Sequence, residues 1–125
     1  MNYDTLAEMI KRHEGLKFRK YLCPAGHWSI GYGWNLDVSP LPHDIQSYFN
    51  LYDEITLQMA DLLLNIKITV AVLDCKEIFP GFDQFAERRQ MALVDMVYNM
   101  GATGVCGFKR MRRAIANGDW DEAAE

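Results

Sequence analysis

The sequence predicts an α+β fold that is mainly helical and carries a small β-hairpin lobe near its N-terminus. Two observations predict this class. Residues 17–34 combine strand-forming segments with a Pro-Ala-Gly turn and closely spaced glycines, which is typical of a tight hairpin. From Asp44 onward, apolar residues recur at helical spacing. A chain of 125 residues is expected to form one domain, 1–125.

The N-terminal part of the chain is expected to contain one helix and the hairpin. Apolar residues three and four positions apart predict the helix at 3–13. Gly15 is a suitable helix end, which places Glu14 at the C-terminal edge of this helix. The hairpin follows at 17–34, and two prolines mark a loop at 37–44.

The rest of the chain is expected to be helical. Four helices are predicted, at 44–51, 56–78, 84–100 and 108–116. Thr56 and Asp83 are suitable N-caps for the second and third of them. The helix at 84–100 is apolar on nearly every face, which is typical of the buried centre of a bundle. Asp119 caps a last helical segment that stops after a few residues, so we expect the C-terminal end to be truncated.

Charge, apolar runs and cysteine spacing exclude several classes of protein. The formal net charge of −4 argues against a dedicated nucleic-acid-binding protein. No apolar run reaches the length of a membrane span, so membrane insertion is not expected, and the first residues do not resemble a conventional signal peptide. The three cysteines are far apart, which fits reduced thiols in a cytosolic product better than a disulfide framework.

Glu14 is the first candidate for chemistry. It lies where the first helix meets the hairpin, and Leu16, Phe18, Tyr21 and Trp28 are expected to wall it in. Burial raises the pKa of a carboxyl group, and the partial negative charge of a helix C-terminus acts in the same direction. A carboxyl kept protonated in this way can act as the general acid for a glycosidic oxygen. The alternative is a solvated surface glutamate.

Cys23 is the second candidate, and several interpretations stay open for it. It can be a small buried apolar residue, or a thiol nucleophile activated by His27. A zinc site made by His13, Cys23 and His27 matches no common ligand spacing, so no metal site is expected. Ser29 either fills a turn or holds a water molecule or a sugar hydroxyl.

The spacing of Glu14, Cys23 and Ser29 resembles that of the phage-type lysozymes, the endolysin family that includes the lysozyme of the T-even phages. The family signature is a glutamate, an aspartate or cysteine nine positions later, and a threonine six positions after that. Here Cys23 follows Glu14 by nine positions and Ser29 follows Cys23 by six. The surrounding "EGL…Y…G…IGYG", the block "VDMVYNMGATGVCGF" at 94–108 and "GDWDEAA" at 118–124 also resemble the family. The resemblance covers essentially the whole chain.

The resemblance implies a lysozyme-like fold in which a hairpin lobe, about 13–55, and a helical lobe, 1–12 with 56–125, have a cleft between them. It implies muramidase activity, that is, hydrolysis between N-acetylmuramic acid and N-acetylglucosamine in bacterial peptidoglycan, with no metal or organic cofactor. A monomer is expected. The protein would be made in the cytoplasm of a phage or prophage host and would act on the cell wall after release.

The resemblance also implies roles for individual residues. Glu14 matches the general acid, Cys23 the second catalytic group, and Ser29 the place of the threonine. The residues expected to bind substrate are Tyr98, Asn99, Gly33, Asn35 and Phe108. Of these, Tyr98 and Asn99 fall where the family has an aromatic and an amide lining the cleft.

Three departures from the family pattern leave alternatives open. Cys23 can attack the anomeric carbon as a thiolate or position a water molecule, so retention or inversion is not determined. Ser29 keeps the hydroxyl of threonine and loses the methyl group. Trp34 stands where well-known members have histidine. Two other functions compete with the muramidase: a non-catalytic peptidoglycan-binding protein of the same fold, and a Cys-His peptidase or amidase that cleaves the peptide stem.

Overall fold

The computed structural model describes residues 1–120, apart from the side chains at positions 102, 103, 109 and 110. The elements are α1 (Tyr3–Glu14), β1 (Lys17–Leu22), β2 (Trp28–Gly31), β3 (Trp34–Asn35), α2 (His43–Tyr52), α3 (Leu57–Ile78), a short 3₁₀ helix (Phe82–Gln84), α4 (Glu87–Cys106) and α5 (Lys109–Ala116). The predicted α+β, mainly helical fold class is confirmed. The predicted continuation of the last helical segment over 121–125 lies outside the described residues.

The chain forms two compact units. Residues Tyr3–Lys67 form one, which we call the sheet unit because it contains all three described strands. Met1–Asn2 together with the described residues from Ile68 onward forms the other, which we call the helical unit. Helix α3 supplies residues to both units.

The sheet of the sheet unit is antiparallel and has the order β1-β2-β3. Its register places Tyr21 opposite Ser29 and Ser29 opposite Asn35, so these three residues form one row across the strands. The predicted hairpin is confirmed, and a third short strand extends it. Gly33 allows this strand to turn back at once, because its φ of +81° lies in the left-handed region.

Three contacts hold the sheet against α3 and the residues that lead into it. The Ile55 amide donates a hydrogen bond of 2.8 Å to the Phe18 carbonyl. The Gly31 backbone lies so close that a Cβ atom there would be 3.8 Å from the Ala60 Cα. The Lys67 ammonium donates to the Gly33 carbonyl at 2.5 Å. The turn between β2 and β3 is therefore anchored on a helix.

The start of α3 confirms the predicted cap. The Thr56 side-chain oxygen accepts a hydrogen bond of 3.1 Å from the Met59 amide, which satisfies one of the amides left open at a helix start. On the buried face of α3, Ala60, Leu63 and Leu64 are each 2% exposed or less. Burial of these side chains, more than helix propensity, stabilises the helix.

Helix α4 of the helical unit differs from its prediction at its start, and a second helical segment follows its predicted end. Asp83 does not cap it, because residues 82–84 form the 3₁₀ helix and Ala86 occupies the N-cap position. Gly101, the predicted end, has the non-helical angles φ 76° and ψ 162°, and a further helical segment follows it to Cys106. A glycine without a Cβ tolerates this conformation, so the helical backbone is interrupted at Gly101, where its end was predicted.

The prediction that α4 is buried on nearly every side is wrong. Val94 and Val97 are buried, whereas Ala92 is exposed. Alanine carries little apolar surface, so its exposure costs little free energy. Within residues 1–120, no helix has both the length and the apolar character needed to cross a membrane.

Candidate active site

Glu14 is the last residue of α1, as predicted. The helix ends there because Gly15 has a φ of +71° and donates its amide to the Lys11 carbonyl at 3.0 Å. The Glu14 carboxyl packs against Gly33, where a Cβ atom would lie 2.8 Å from Glu14 Oε2. Gly33 is therefore required both by its positive φ and by its contact with the acid.

Tyr21 connects the three residues predicted to be catalytic. The pKa of its phenol is raised mainly by burial and further by the negative charges of Glu14 and Cys23, and a hydrogen bond with the Ser29 side chain acts in the opposite direction. The sheet register supplies the geometry, since Tyr21 lies directly opposite Ser29. Glu14, Cys23 and Ser29 therefore all interact with one phenol.

Ser29 is a buried hydroxyl with two side-chain partners. It is 1% exposed, and its Oγ lies 3.0 Å from His27 Nδ1 in addition to its contact with Tyr21. A buried hydroxyl with partners on both sides has its orientation fixed. Asn35, opposite Ser29 on β3, accepts a hydrogen bond of 2.9 Å from the Asp37 amide through its side-chain oxygen.

Cys23 opens the turn between β1 and β2. Its amide donates to the His27 carbonyl and its carbonyl accepts from the Gly26 amide, each at 2.9 Å. The thiol is free and half-buried. Cys75, by contrast, is buried, and burial raises the pKa of its thiol to about 12, so Cys75 is not a candidate nucleophile.

Two of the aromatic rings expected to wall in Glu14 are not buried. Phe18 is 43% exposed and Trp28 is 42% exposed. The Lys20 ammonium lies over the Trp28 ring, 5.2 Å from the ring centroid, in a cation–π contact. Nearly every residue of β1 is exposed, and Trp28 is the one exposed residue of β2.

Lys67 lies near Glu14 and was not among the residues predicted from the sequence. Its pKa is lowered by burial, and the negative charge of Glu14 acts against that lowering. Its ammonium donates to the carbonyl of Gly33, the glycine against which Glu14 packs. The signal in the sequence was a single lysine within an otherwise apolar stretch of α3.

Trp34 stands where a histidine could form an ion pair, and its neutral indole ring forms a hydrogen bond instead. It is 7% exposed, and its indole nitrogen donates a hydrogen bond of 3.0 Å to the Ser39 carbonyl. This bond ties β3 to the loop that follows, so Trp34 stabilises the sheet next to Gly33.

The other predicted substrate-binding residues belong to the helical unit. Tyr98 is 3% exposed and packs in the interior of that unit. Asn99 is exposed, and its amide donates to the Asp95 carbonyl at 3.0 Å. Phe108 precedes α5 and is 47% exposed. A substrate contact of these three residues stays a prediction.

The described residues contain no group of three or more histidine, cysteine, aspartate or glutamate side chains placed to hold a metal ion. The sheet unit contains the Glu14 carboxyl, the free Cys23 thiol, the buried Ser29 hydroxyl and the Tyr21 phenol. The thiol lies at the β1–β2 turn, and the hydroxyl and the phenol belong to one row across the strands. This arrangement suits proton transfer to an oxygen, with the thiol as a second reacting group.

The family model described as "Phage lysozyme" matches residues 11–125 of the chain. The pre-baseplate central spike protein Gp5 of Enterobacteria phage T4 is 29% identical over 95% of this chain and 23% of its own length. An endolysin of Acyrthosiphon pisum secondary endosymbiont phage 1 is 31% identical over 76% of this chain and 56% of its own length. A probable T4-type lysozyme 2 of Dictyostelium discoideum is 27% identical over 96% of this chain and 79% of its own length. The chain thus spans less than two thirds of the length of the first two of these relatives.

Proposed function

The chain belongs to the phage lysozyme family, and from this premise we propose that it hydrolyses the glycosidic bond between N-acetylmuramic acid and N-acetylglucosamine in bacterial peptidoglycan. The observation that carries the proposal is the placement of the Glu14 carboxyl against Gly33. Glu14 also interacts electrostatically with Tyr21, the phenol that interacts with Cys23 and Ser29.

In the proposed reaction Glu14 acts as the general acid. Its proton passes to the glycosidic oxygen as the bond between that oxygen and the anomeric carbon breaks. The anomeric carbon gains a bond to the oxygen of a water molecule, whose proton returns to an enzyme base. Ser29, held by His27 and Tyr21, is suited to position that water or a sugar hydroxyl.

Cys23 supplies the second reacting group, by one of two routes. As a thiolate it attacks the anomeric carbon and forms a glycosyl thioether, which water then hydrolyses with release of the thiolate. Alternatively it positions the water that attacks directly. Both routes give the same hydrolysis product, and they differ in whether the configuration at the anomeric carbon is retained or inverted.

Two competing functions have less support. A Cys23–His27 thiol hydrolase needs the imidazole on the sulfur, whereas His27 Nδ1 pairs with Ser29 Oγ. A non-catalytic peptidoglycan-binding protein would have no need for a carboxyl, a thiol and a hydroxyl that all interact with one phenol. We further propose that the protein is a monomer and acts on the wall of a phage or prophage host after release from the cytoplasm.

Replacement of Cys23 by aspartate tests these functions. The family tolerates either residue at this place, so we expect Cys23→Asp to release new reducing sugar ends from purified cell walls at a rate within about tenfold of the unmodified protein. Borohydride reduction of the products should yield reduced muramic acid, which distinguishes a muramidase from a glucosaminidase.

Three other outcomes contradict the proposal. Loss of activity in Cys23→Asp together with an active Glu14→Gln variant supports a thiol hydrolase. Release of peptides from intact sugar strands supports an amidase or peptidase. Binding to cell walls without release of any fragment supports a binding protein.

A further inference from the structure

Lys67 occupies the buried face of α3. Leu63 lies four positions before it and Leu64 three positions before it on the same side of the helix, and both are 2% exposed or less. A lysine among buried leucines is unfavourable, because burial penalises its charged form. A methionine or leucine would stabilise an ordinary helix face better, so an ammonium at this position points to a role for its charge.

Gly33 links Lys67 to Glu14. The Lys67 ammonium donates to the Gly33 carbonyl at 2.5 Å, and Glu14 Oε2 lies 2.8 Å from where a Gly33 Cβ would stand. The two charged side chains therefore contact the same residue from two different helices. Movement of the β2–β3 turn would change both contacts together.

The charged groups around Glu14 come from several elements. Tyr21 on β1 and Lys67 on α3 each interact electrostatically with Glu14, and Cys23 interacts electrostatically with the same phenol. The interaction is reciprocal: the Glu14 charge favours the ammonium form of Lys67, so the ammonium equally favours the carboxylate form of Glu14. An ammonium that favours the carboxylate opposes the protonated form in which Glu14 acts as an acid.

We propose that Lys67 is a positioning residue for Glu14, which fixes the Gly33 turn beneath the carboxyl and sets the upper pH limit at which Glu14 still carries the proton it donates. The proposal rests on the proposed function for its catalytic meaning. After the proton leaves, the same ammonium stabilises the carboxylate that remains. The positive charge thus assists proton donation and narrows the pH range of the enzyme.

Neutral replacements of Lys67 test this proposal. Lys67→Met keeps a long apolar side chain among the leucines, and Lys67→Gln keeps a hydrogen-bond donor without the charge. In both we expect the alkaline limb of the pH–activity profile to move upward by about one pH unit, the low end of the pKa shift that a nearby opposite charge produces. Lys67→Arg should keep the limb in place. Lys20→Met, which removes the same charge from an exposed site in the same unit, should also leave it unmoved.

A second readout does not depend on activity. The Glu14 carboxyl, labelled with ¹³C, should titrate in the free protein about one pH unit higher in Lys67→Met than in the unmodified chain. A titration that moves while no sugar ends are released would leave the inference intact and contradict the proposed function. If the carboxyl titration and the alkaline limb of both neutral variants coincide with those of the unmodified protein, Lys67 is only a structural residue.

Discussion

Replacing Glu14 with glutamine should lower the rate of peptidoglycan hydrolysis by about 10²-fold or more, the scale of general acid catalysis. Glutamine keeps the size of the side chain and its place against Gly33, and it has no proton to give to a glycosidic oxygen. Release of reducing ends from purified cell walls measures the rate, and circular dichroism with a thermal melt shows whether the fold is kept.

A matched control comes from the same helix. Glu8 is exposed on α1 and pairs with Lys11 at 3.8 Å, three positions away. Glu8→Gln removes the same charge from α1 at a site away from its C-terminus, and the activity should stay unchanged because exposed pairs of this kind contribute little. Equal rates of hydrolysis for Glu14→Gln and Glu8→Gln would show that Glu14 is not the general acid.

Replacing Gly33 with alanine should impair the same step while every reacting group is kept. The new methyl group would stand 2.8 Å from Glu14 Oε2, closer than nonbonded atoms approach, so the carboxyl or the turn must move. We expect a loss of activity between about tenfold and 10²-fold, since a displacement of about 1 Å at a catalytic group can cost that much. The positive φ adds a strain of about 1–2 kcal/mol to the free energy of folding.

Gly26→Ala is the control that introduces backbone strain without displacing the Glu14 carboxyl. Gly26 has a φ of +91°, and a Cβ atom there would meet nothing within 4 Å. This variant should lose a similar amount of stability in a urea titration and keep its activity. If both alanine variants lose activity in proportion to their stability, the contact between Gly33 and Glu14 has no catalytic importance.

Much of the fold was predictable because it depends on local features of the sequence. Thr56 caps α3 as its side chain and position indicate, and the glycines and turn residues of 17–34 predict the hairpin. Gly15 places Glu14 at the end of α1 in the same way. Such features act over a few residues, so a single sequence carries them.

The predictions that failed depended on competition between local alternatives. Asp83 is an adequate cap, but Phe82 packs into the interior and draws 82–84 into a 3₁₀ helix, so α4 starts three residues after this segment. The aromatic residues expected around Glu14 were placed by proximity in sequence. In the structure nearly all of β1 is exposed, so Phe18 lies at the surface, and so does Trp28 at the start of β2.

The residues that interact with the candidate catalytic residues are brought there by contacts between elements distant in sequence. The spacing of Glu14, Cys23 and Ser29 identified candidates, and the β1–β2 register then brings Tyr21 to Ser29. Lys67 is 34 residues away from Gly33 in the chain, and no local pattern relates the two. Its one visible sign was a charge on an apolar helix face, and lysines commonly lay their apolar stems along such a face while the ammonium reaches solvent.

The most direct measurement of the central claim is the fate of the oxygen that water contributes. Purified cell walls are digested in H₂¹⁸O and the fragments are analysed by mass spectrometry. A glycosidase that uses Glu14 as its acid should place ¹⁸O at the new reducing end of N-acetylmuramic acid, in amounts that fall with Glu14→Gln, by either route available to Cys23. Label in a carboxyl group of the peptide stem, with unlabelled sugar ends, would contradict the claim.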